Sequence, residues 1–581
     1  MPPRRAASAK PDAAVAKETK ASASKVTKPA AKATKAAPKK AAAAKAEPKP
    51  KPAAKPKAKA AVNGVNGVNG VNGVHSDEDE KPAAPATKTN NKRKVDVEES
   101  DTPSVASDRP VKRARTASVS QPKPKAPAKP KAAKPAPKPK KVVQQPVINK
   151  VPSTKLDIFV FGEGSSGELG LGSKKYEGKL KPIDVKRPRI NRNLEKAGVV
   201  QVACGGMHVV ALTADNKILT WGVNDDKALG RDTTWDGGVR DVDDESDDDD
   251  EDDTGINPRE STPTEISYEG IPEGTVFTQV AATDSASFVV TDEGDVYGWG
   301  TFRGSDGIIG FSQDARTQAT PTKISVKAVK KLACGSNHVI ALDKAGKVWT
   351  WGAGGQYQLG RRIITRHSGA TAGLKPELCS RFGAKKFAVD VAAGSYHSFF
   401  LDNHGQVWAW GLNNFSQTGH ESVGEDDAMV LEPAVVESLS ELEIAGGEHH
   451  SVACTKSGKL LTWGRIDGHQ PSEVYTEDNT VFDENKRPRI LFAPTEIKDI
   501  KASYVATGTD TSFAITEDGE VHSWGFSANY QTGQGTTDDV ETPERIENTA
   551  IKDRKITWAG AGGQYSMVGA AHAESQVNGS A

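Results

Sequence analysis

Seven times along this chain an aromatic residue followed by glycine closes a short apolar run: Phe161-Gly162, Trp221-Gly222, Trp299-Gly300, Trp351-Gly352, Trp410-Gly411, Trp463-Gly464 and Trp524-Gly525. The intervals run from 52 to 78 residues, which suits a repeat of one small sheet with loops of variable length. Six copies follow one pattern, Val-Ala-x-Gly-x-x-His-x-x-Ala-Leu-Thr-x-x-Gly-x-Val-x-x-Trp-Gly with substitutions, as in Val202 to Gly222 and Leu332 to Gly352. Each copy carries two β-runs and a tight turn.

The turn pairs Glu293-Gly294, Ala345-Gly346, His404-Gly405, Ser457-Gly458 and Asp518-Gly519 lie between apolar runs, with Asn216 filling the place in the first copy. Glycine there supplies the positive φ of a two-residue hairpin turn. One such unit cannot bury both faces of its sheet, so the units must stack on one another, and the last must find a partner. A ring solves this. Trp558 to Gly569 reads as the first half of a repeat and Leu156 to Gly162 as the second half alone. The expected fold is therefore all-β: a seven-bladed propeller over residues 153–572, closed by pairing of its N- and C-terminal strands.

Charge divides the chain. Residues 1–152 hold 35 Lys and Arg against 12 Asp and Glu, and the remainder holds 42 against 64. The first segment is Ala, Lys and Pro with few core formers, and it reads as a disordered basic tail. Within it, Lys92, Arg93 and Lys94 precede Lys112, Arg113 and Arg115 at the spacing of a bipartite nuclear import signal, which implies an import receptor as partner. The scattered lysines suit DNA phosphates on chromatin, approached by counterion release without base reading. An acidic insertion at about 236–260 centres on Asp241 to Asp253, eleven carboxylates in thirteen residues without the glycine-punctuated loop that calcium needs. Residues 573–581 form a short C-terminal tail.

Four cysteines, none in a Cys-x-x-Cys pair, argue against a disulfide framework or a zinc site. No membrane helix or signal peptide is expected, and the protein reads as soluble and intracellular. Gly-x-x-x-x-Gly-Lys-[Ser/Thr], Gly-x-Ser-x-Gly and His-Glu-x-x-His motifs are absent from the sequence, so no enzyme chemistry, metal or cofactor is expected. The glycine pairs such as Gly205-Gly206 read as strand-entry glycines, and the Trp-Gly tryptophans as packing between units. Function belongs where the copies differ. At the polar end of the Gly-x-x-His run, Asp284, Asn337 and His449 stand off the common pattern, whereas His338, His397 and His450 occupy the repeat position of a structural hydrogen bond.

The segments Gly222 to Thr233, Trp299 to Gly310 and Ala445 to Ser451, with the Trp-Gly repeats, resemble the regulator of chromosome condensation family, and the wording Lys-Arg-Pro-Arg-Ile resembles its fungal branch. Members are chromatin-bound guanine nucleotide exchange factors for the small GTPase Ran. The resemblance spans roughly residues 155 to 570. It implies a GTPase-binding face at Asp284, Asn337 and His449, with support from His208 and Arg361. It also implies a protruding hairpin wedge made of Thr301, Phe302, Arg303, Gly304, Ser305, Asp306, Gly307, Ile308, Ile309 and Gly310. Asn337 stands where the family usually has aspartate, and Ser165, Ser416 and Tyr565 replace charged or imidazole residues. Nuclear, chromatin-associated exchange of GDP on a Ran-like GTPase, with histone and DNA contacts, is the expected function. The alternative is a propeller scaffold that recruits a partner to chromatin without exchange.

Overall fold

The computed structural model describes residues 146–175, 180–236, 254–366, 369–379, 385–421, 428–440, 442–466 and 475–573. Both import clusters, the tail up to residue 145, most of the acidic insertion and all but residue 573 of the C-terminal tail lie outside them. Among the described residues the regular secondary structure is almost all strand, with short helices at Arg192–Ala197 and Pro258–Ser261 and a 3-10 turn at Gly369–Leu374. No helix among them is long and apolar enough to cross a membrane.

Every repeat copy folds the same way. In the first, Val199–Cys204 runs inward to the Gly205 turn, His208–Thr213 returns, and Ile218–Gly222 ends on the Trp-Gly pair, with His208 opposite Gly222. The glycine of the pair is required. Gly222 has φ of 97°, and a Cβ there would stand 2.4 Å from the Met207 carbonyl oxygen. A short fourth strand, Thr264–Glu265, completes sheet 1. Middle strands such as His208–Thr213 and Ala286–Thr291 are buried throughout, because both faces of each sheet are covered.

Sheet 2 comprises Phe277–Ala282, Ala286–Thr291, Val296–Gly300 and Gln318–Lys323, and sheet 3 Val329–Cys334, His338–Asp343, Val348–Gly352 and Glu377–Leu378. Ala388–Ala393, His397–Asp402, Gln406–Leu412 and Met429–Ser440 form sheet 4. Sheet 5 is eight-stranded, because the 20-residue strand Pro488–Thr507 pairs with Lys459–Arg465 through its first part and with Thr511–Thr516 through its second. Sheet 6 joins the two ends of the fold in the order Val185–Ile190, Leu156–Gly162, Tyr565–Ala571, Ile556–Ala561. Its central register runs unbroken from Leu156 opposite Ala571 to Gly162 opposite Tyr565. Asp157, 2% exposed, fastens this junction through an ion pair to Arg554 and a hydrogen bond, at 2.6 Å, with His572 Nδ1.

Neighbouring sheets are tied by a recurring pair of side chains. Trp221, Trp299, Trp410 and Trp463 each donate their indole N–H to a loop carbonyl of the preceding unit, at Glu168, Ala228, Gln358 and Gln417, over 2.7–2.9 Å. His208, His338, His397 and His450 reach Ser287, Ser398, Ser451 and Ser512 of the next unit at 2.8–2.9 Å. Tyr565 takes the histidine's place in sheet 6, its hydroxyl 2.9 and 2.8 Å from the carbonyls of Gly205 and His208 in sheet 1. Gly205 and its counterparts sit in the turn that leads from the first strand into the second: a Cβ on Gly205 would meet the His208 ring at 2.5 Å.

The docked chain starts earlier than residue 153. Ile148 and Asn149 give their N–H groups to the Asp292 carbonyl, and the Asn149 amide donates to Thr291 and Val329, bridging sheets 2 and 3 at the end away from the Trp-Gly pairs.

Candidate functional site

The turns between first and second strands and the loops after the Trp-Gly pairs emerge at the same end of their sheets. Backbone bonds link these turns directly: Asp284 N–H to Ser336, Ser336 N–H to Ser395, and Ser395 N–H to Gly447. Below them a cavity of about 390 Å³ is lined by the first strands, from Val202 to Gly206 through Gln279 to Asp284 and on to Trp558 to Gly562. Gln279 on its wall bonds the backbone of the next sheet, as Gln201 does one sheet earlier, and Lys331 pairs with Asp390 at 2.5 Å. Cys204 and Cys334 also line it, and burial pushes both thiols up, Cys204 to about 12.

Where sheets 1, 3 and 4 carry a compact loop after Trp-Gly, sheet 2 carries a separate two-stranded hairpin, Phe302–Gly304 against Gly307–Gly310, that contains every residue of the expected wedge except Thr301, which directly precedes it. Thr301 and Phe302 are fully buried, and Arg303 to Asp306 are exposed. The base is an aromatic cluster, with Phe302 stacked 6.1 Å from Phe288 and 6.1 Å from Phe311, and Trp351 edge-on to Phe288 at 6.0 Å. The hairpin takes the place of the loop carbonyl that four other units offer, and the Trp351 indole N–H has no acceptor. Ring packing supplies the contact instead.

Two side chains hold Arg303, and one of them binds a third. The Arg303 backbone N–H donates to Asn337 Oδ1 at 2.7 Å, its guanidinium donates to Asp226 at 2.5 Å, and Asn337 Nδ2 donates to Asp284 Oδ2 at 3.3 Å. Asp284 is exposed to solvent, while the surrounding turns crowd its carboxyl. Desolvation by that crowding pushes the carboxyl up to about 7; hydrogen bonds from Ser336 and Asn337 and the Arg303 charge oppose the rise, and Glu448 adds to it. His449, partly buried, meets Phe415 edge-on at 4.9 Å, and the Arg465 guanidinium lies 5.6 Å from the same ring. Glu448, raised by burial and by Asp510, stands 4.0 Å from the His449 Nδ1.

Of the five expected contact residues, Asp284, Asn337 and His449 lie on this face and two do not. His208 is 1% exposed, and burial, the largest cause, drops its pKa to about 4, so it is a neutral partner of Ser287. Arg361, with a side chain 9% exposed, binds Glu377 at 3.1 Å and the carbonyls of Thr350 and Lys375, tying a loop to its own sheet. Both sit at the correct height in the repeat, but their side chains turn into the fold. Ser416 and Tyr565 are buried too, so their departures from the family pattern lie beneath the surface. The sequence pattern does not single out Asp226, Phe288 or Phe311. Phe311 follows the hairpin directly and is legible as its apolar flank; Asp226 sits 77 residues before Arg303 and carries no local signal.

A family model for the RCC1-like domain matches residues 157–568. The chain is 39% identical over 432 residues to the guanine nucleotide exchange factor SRM1 of Saccharomyces cerevisiae, covering 71% of this chain and 87% of that one. The crystal structure of Prp20p from Saccharomyces cerevisiae, solved with a study of its binding to Gsp1p and histones, superposes with a TM-score of 0.63 at 36% identity, over 73% of this chain and 94% of that one. Yeast RCC1 (Prp20) bound to Kap60 gives a TM-score of 0.64 at 35% identity, over 76% and 96%.

Proposed function

This chain belongs to the RCC1-like domain family, and from that premise we propose that it is a chromatin-associated guanine nucleotide exchange factor for a Ran-like GTPase, acting in the nucleus. The observation that carries the reading is the hairpin of residues 301–310, projecting beside Asp284 and Asn337 from an aromatic base. SRM1 is by name an exchange factor, Prp20p was studied with Gsp1p and histones, and Kap60 was captured on the yeast protein. Those likenesses support the same activity, the same kinds of partner and an import receptor here.

The mechanism needs no covalent step. A factor that binds the nucleotide-free GTPase more tightly than the loaded form must, by linkage, weaken nucleotide binding by the same factor. In this reading the hairpin tip, Arg303 to Asp306, presses on the phosphate-binding region of the GTPase, while Asp284, Asn337 and His449 hold it in register. Excess cellular GTP sets the direction. The acidic repeat region suits a basic partner surface, and such complementarity chiefly raises the encounter rate.

The architecture we propose is a seven-bladed ring over about 153–572. Five four-stranded sheets and an eight-stranded sheet counted as two blades support it, with the pairing of Leu156–Gly162 to Tyr565–Ala571 as the fastening. The basic tail before it supplies import and phosphate contacts. The deciding experiment is release of a fluorescent guanine nucleotide from a purified Ran-like GTPase by catalytic amounts of this protein. Acceleration with turnover supports exchange; stoichiometric binding without release would leave the scaffold reading.

A further inference from the structure

The loop that carries Asp226 is a rigid post. Asn224 accepts the Leu229 N–H at 3.0 Å and donates to Thr233 at 2.9 Å, which closes the loop on itself. Its Ala228 carbonyl then accepts both the Trp299 indole N–H at 2.7 Å and the Ser287 hydroxyl at 2.8 Å. Trp299 and Ser287 belong to sheet 2, the sheet from which the hairpin rises. The loop of sheet 1 is thereby locked to the base of its neighbour's hairpin. Asp226, whose side chain is 13% exposed, faces the half-exposed Arg303 across that seam.

An ion pair so open to solvent contributes little to global folding. Its geometry has a different consequence. Arg303 is the first exposed residue of the hairpin, and it is gripped from both sides, by Asn337 of sheet 3 through its backbone and by Asp226 of sheet 1 through its guanidinium. Phe302 anchors the strand from below, and the two contacts on Arg303 hold its exposed part from opposite sides.

We propose that Asp226 is a positioning residue for the exchange reaction, holding Arg303 so that the hairpin meets the GTPase in one fixed orientation. The proposal rests on the exchange reading. Preorganisation of this kind acts on the rate of the assembled complex: binding energy not spent on ordering the hairpin goes into displacing the nucleotide.

The test is a double-mutant cycle of Asp226→Ala and Arg303→Ala in the full chain, with two readouts. In fluorescent-nucleotide release from a Ran-like GTPase, Asp226→Ala should lower kcat about tenfold with KM and the unfolding midpoint unchanged, and the double variant should be no slower than the slower single one. In amide hydrogen exchange, which needs no GTPase, the segment 302–310 should lose protection in Asp226→Ala, and Asp226→Glu should restore part of it. A wild-type kcat for Asp226→Ala, additive losses in the cycle, or a raised KM with intact kcat would overturn the proposal, the last by making Asp226 a direct contact. If the wild-type protein releases no nucleotide, the exchange reading itself has failed; unchanged protection in Asp226→Ala would separately remove the clamp.

Discussion

Asn337 donates its side-chain amide to Asp284 across 3.3 Å while accepting the Arg303 N–H at 2.7 Å. Only an amide can do both. An aspartate at 337 could still accept from Arg303 but would set a second negative charge against a carboxyl that already titrates near neutrality. We expect Asn337→Asp to keep the hairpin ordered and to move the Asp284 titration upward, read by carboxyl-carbon NMR across pH 5–9. Asn337→Ala, which removes both bonds, should reduce exchange and leave the unfolding midpoint unchanged.

Asp284→Ala and His449→Ala should each slow nucleotide release about tenfold, on the order of 1.4 kcal/mol of transition-state stabilisation. Neither side chain holds two sheets together as the buried histidines do. Parallel loss of activity and of thermal stability would contradict the proposed role of both residues in binding the GTPase.

Acid should loosen the seams between sheets. Burial holds His208 at about 4 and His338 at about 3, and keeps His397 neutral well below the ordinary histidine range, so the unfolded chain binds protons that the folded chain refuses. Their contribution is complete above about 6.5 and is lost as pH falls towards the folded values, at up to about 1.4 kcal/mol per pH unit for each such histidine. His338→Gln should narrow the gap between unfolding midpoints at pH 7 and pH 5. Asp284 has the opposite sign. Its raised carboxyl favours the fold at low pH and loses that advantage as pH rises through about 7, but solvent at this exposed residue screens the effect, so Asp284→Asn should stabilise the protein only slightly at pH 8 and make no difference at pH 3.

Asp157→Ala should weaken the junction of the chain's ends. It leaves Arg554 and His572 without the buried carboxylate that both address, a loss of about 3 kcal/mol by analogy with other broken buried pairs. Denaturant unfolding measures it directly. Nucleotide release well below the unfolding transition should keep its wild-type rate, because the Asp157 side of sheet 6 lies at the opposite end from its Gly162 turn.

Removing residues 1–145 spares Ile148 and Asn149, which dock on sheets 2 and 3, and should leave exchange intact in solution while nuclear accumulation fails. DNA affinity should fall, and the log-affinity against log-salt slope should flatten by about 0.9 for each phosphate the tail no longer neutralises. An unchanged slope would assign DNA binding to the repeat region.

The repeat period, the strand pattern and the pairing of the chain's two ends were legible in the amino-acid order, because each rests on local alternation and turn chemistry repeated along the chain. The hairpin segment from Thr301 to Gly310 was legible only through the family resemblance of its motif. The structural role of His338, His397 and His450 was legible in the repeat itself, since a residue recurring at one register meets the same neighbour each time. Side-chain direction was legible only where it recurs. His208 shares the register of those three histidines, so its inward direction follows from the same repeat and only the resemblance had carried it to the face; Arg361 has no such recurrence, and its turn towards the carbonyls of Thr350 and Lys375 shows only in the tertiary structure. The clamp on Arg303 belongs wholly to the tertiary structure. Asp226 and Asn337 come from different repeats, and only the stacking of sheets 1, 2 and 3, set by Trp299 on Ala228 and by the turn bond from Asp284 to Ser336, brings them to one strand.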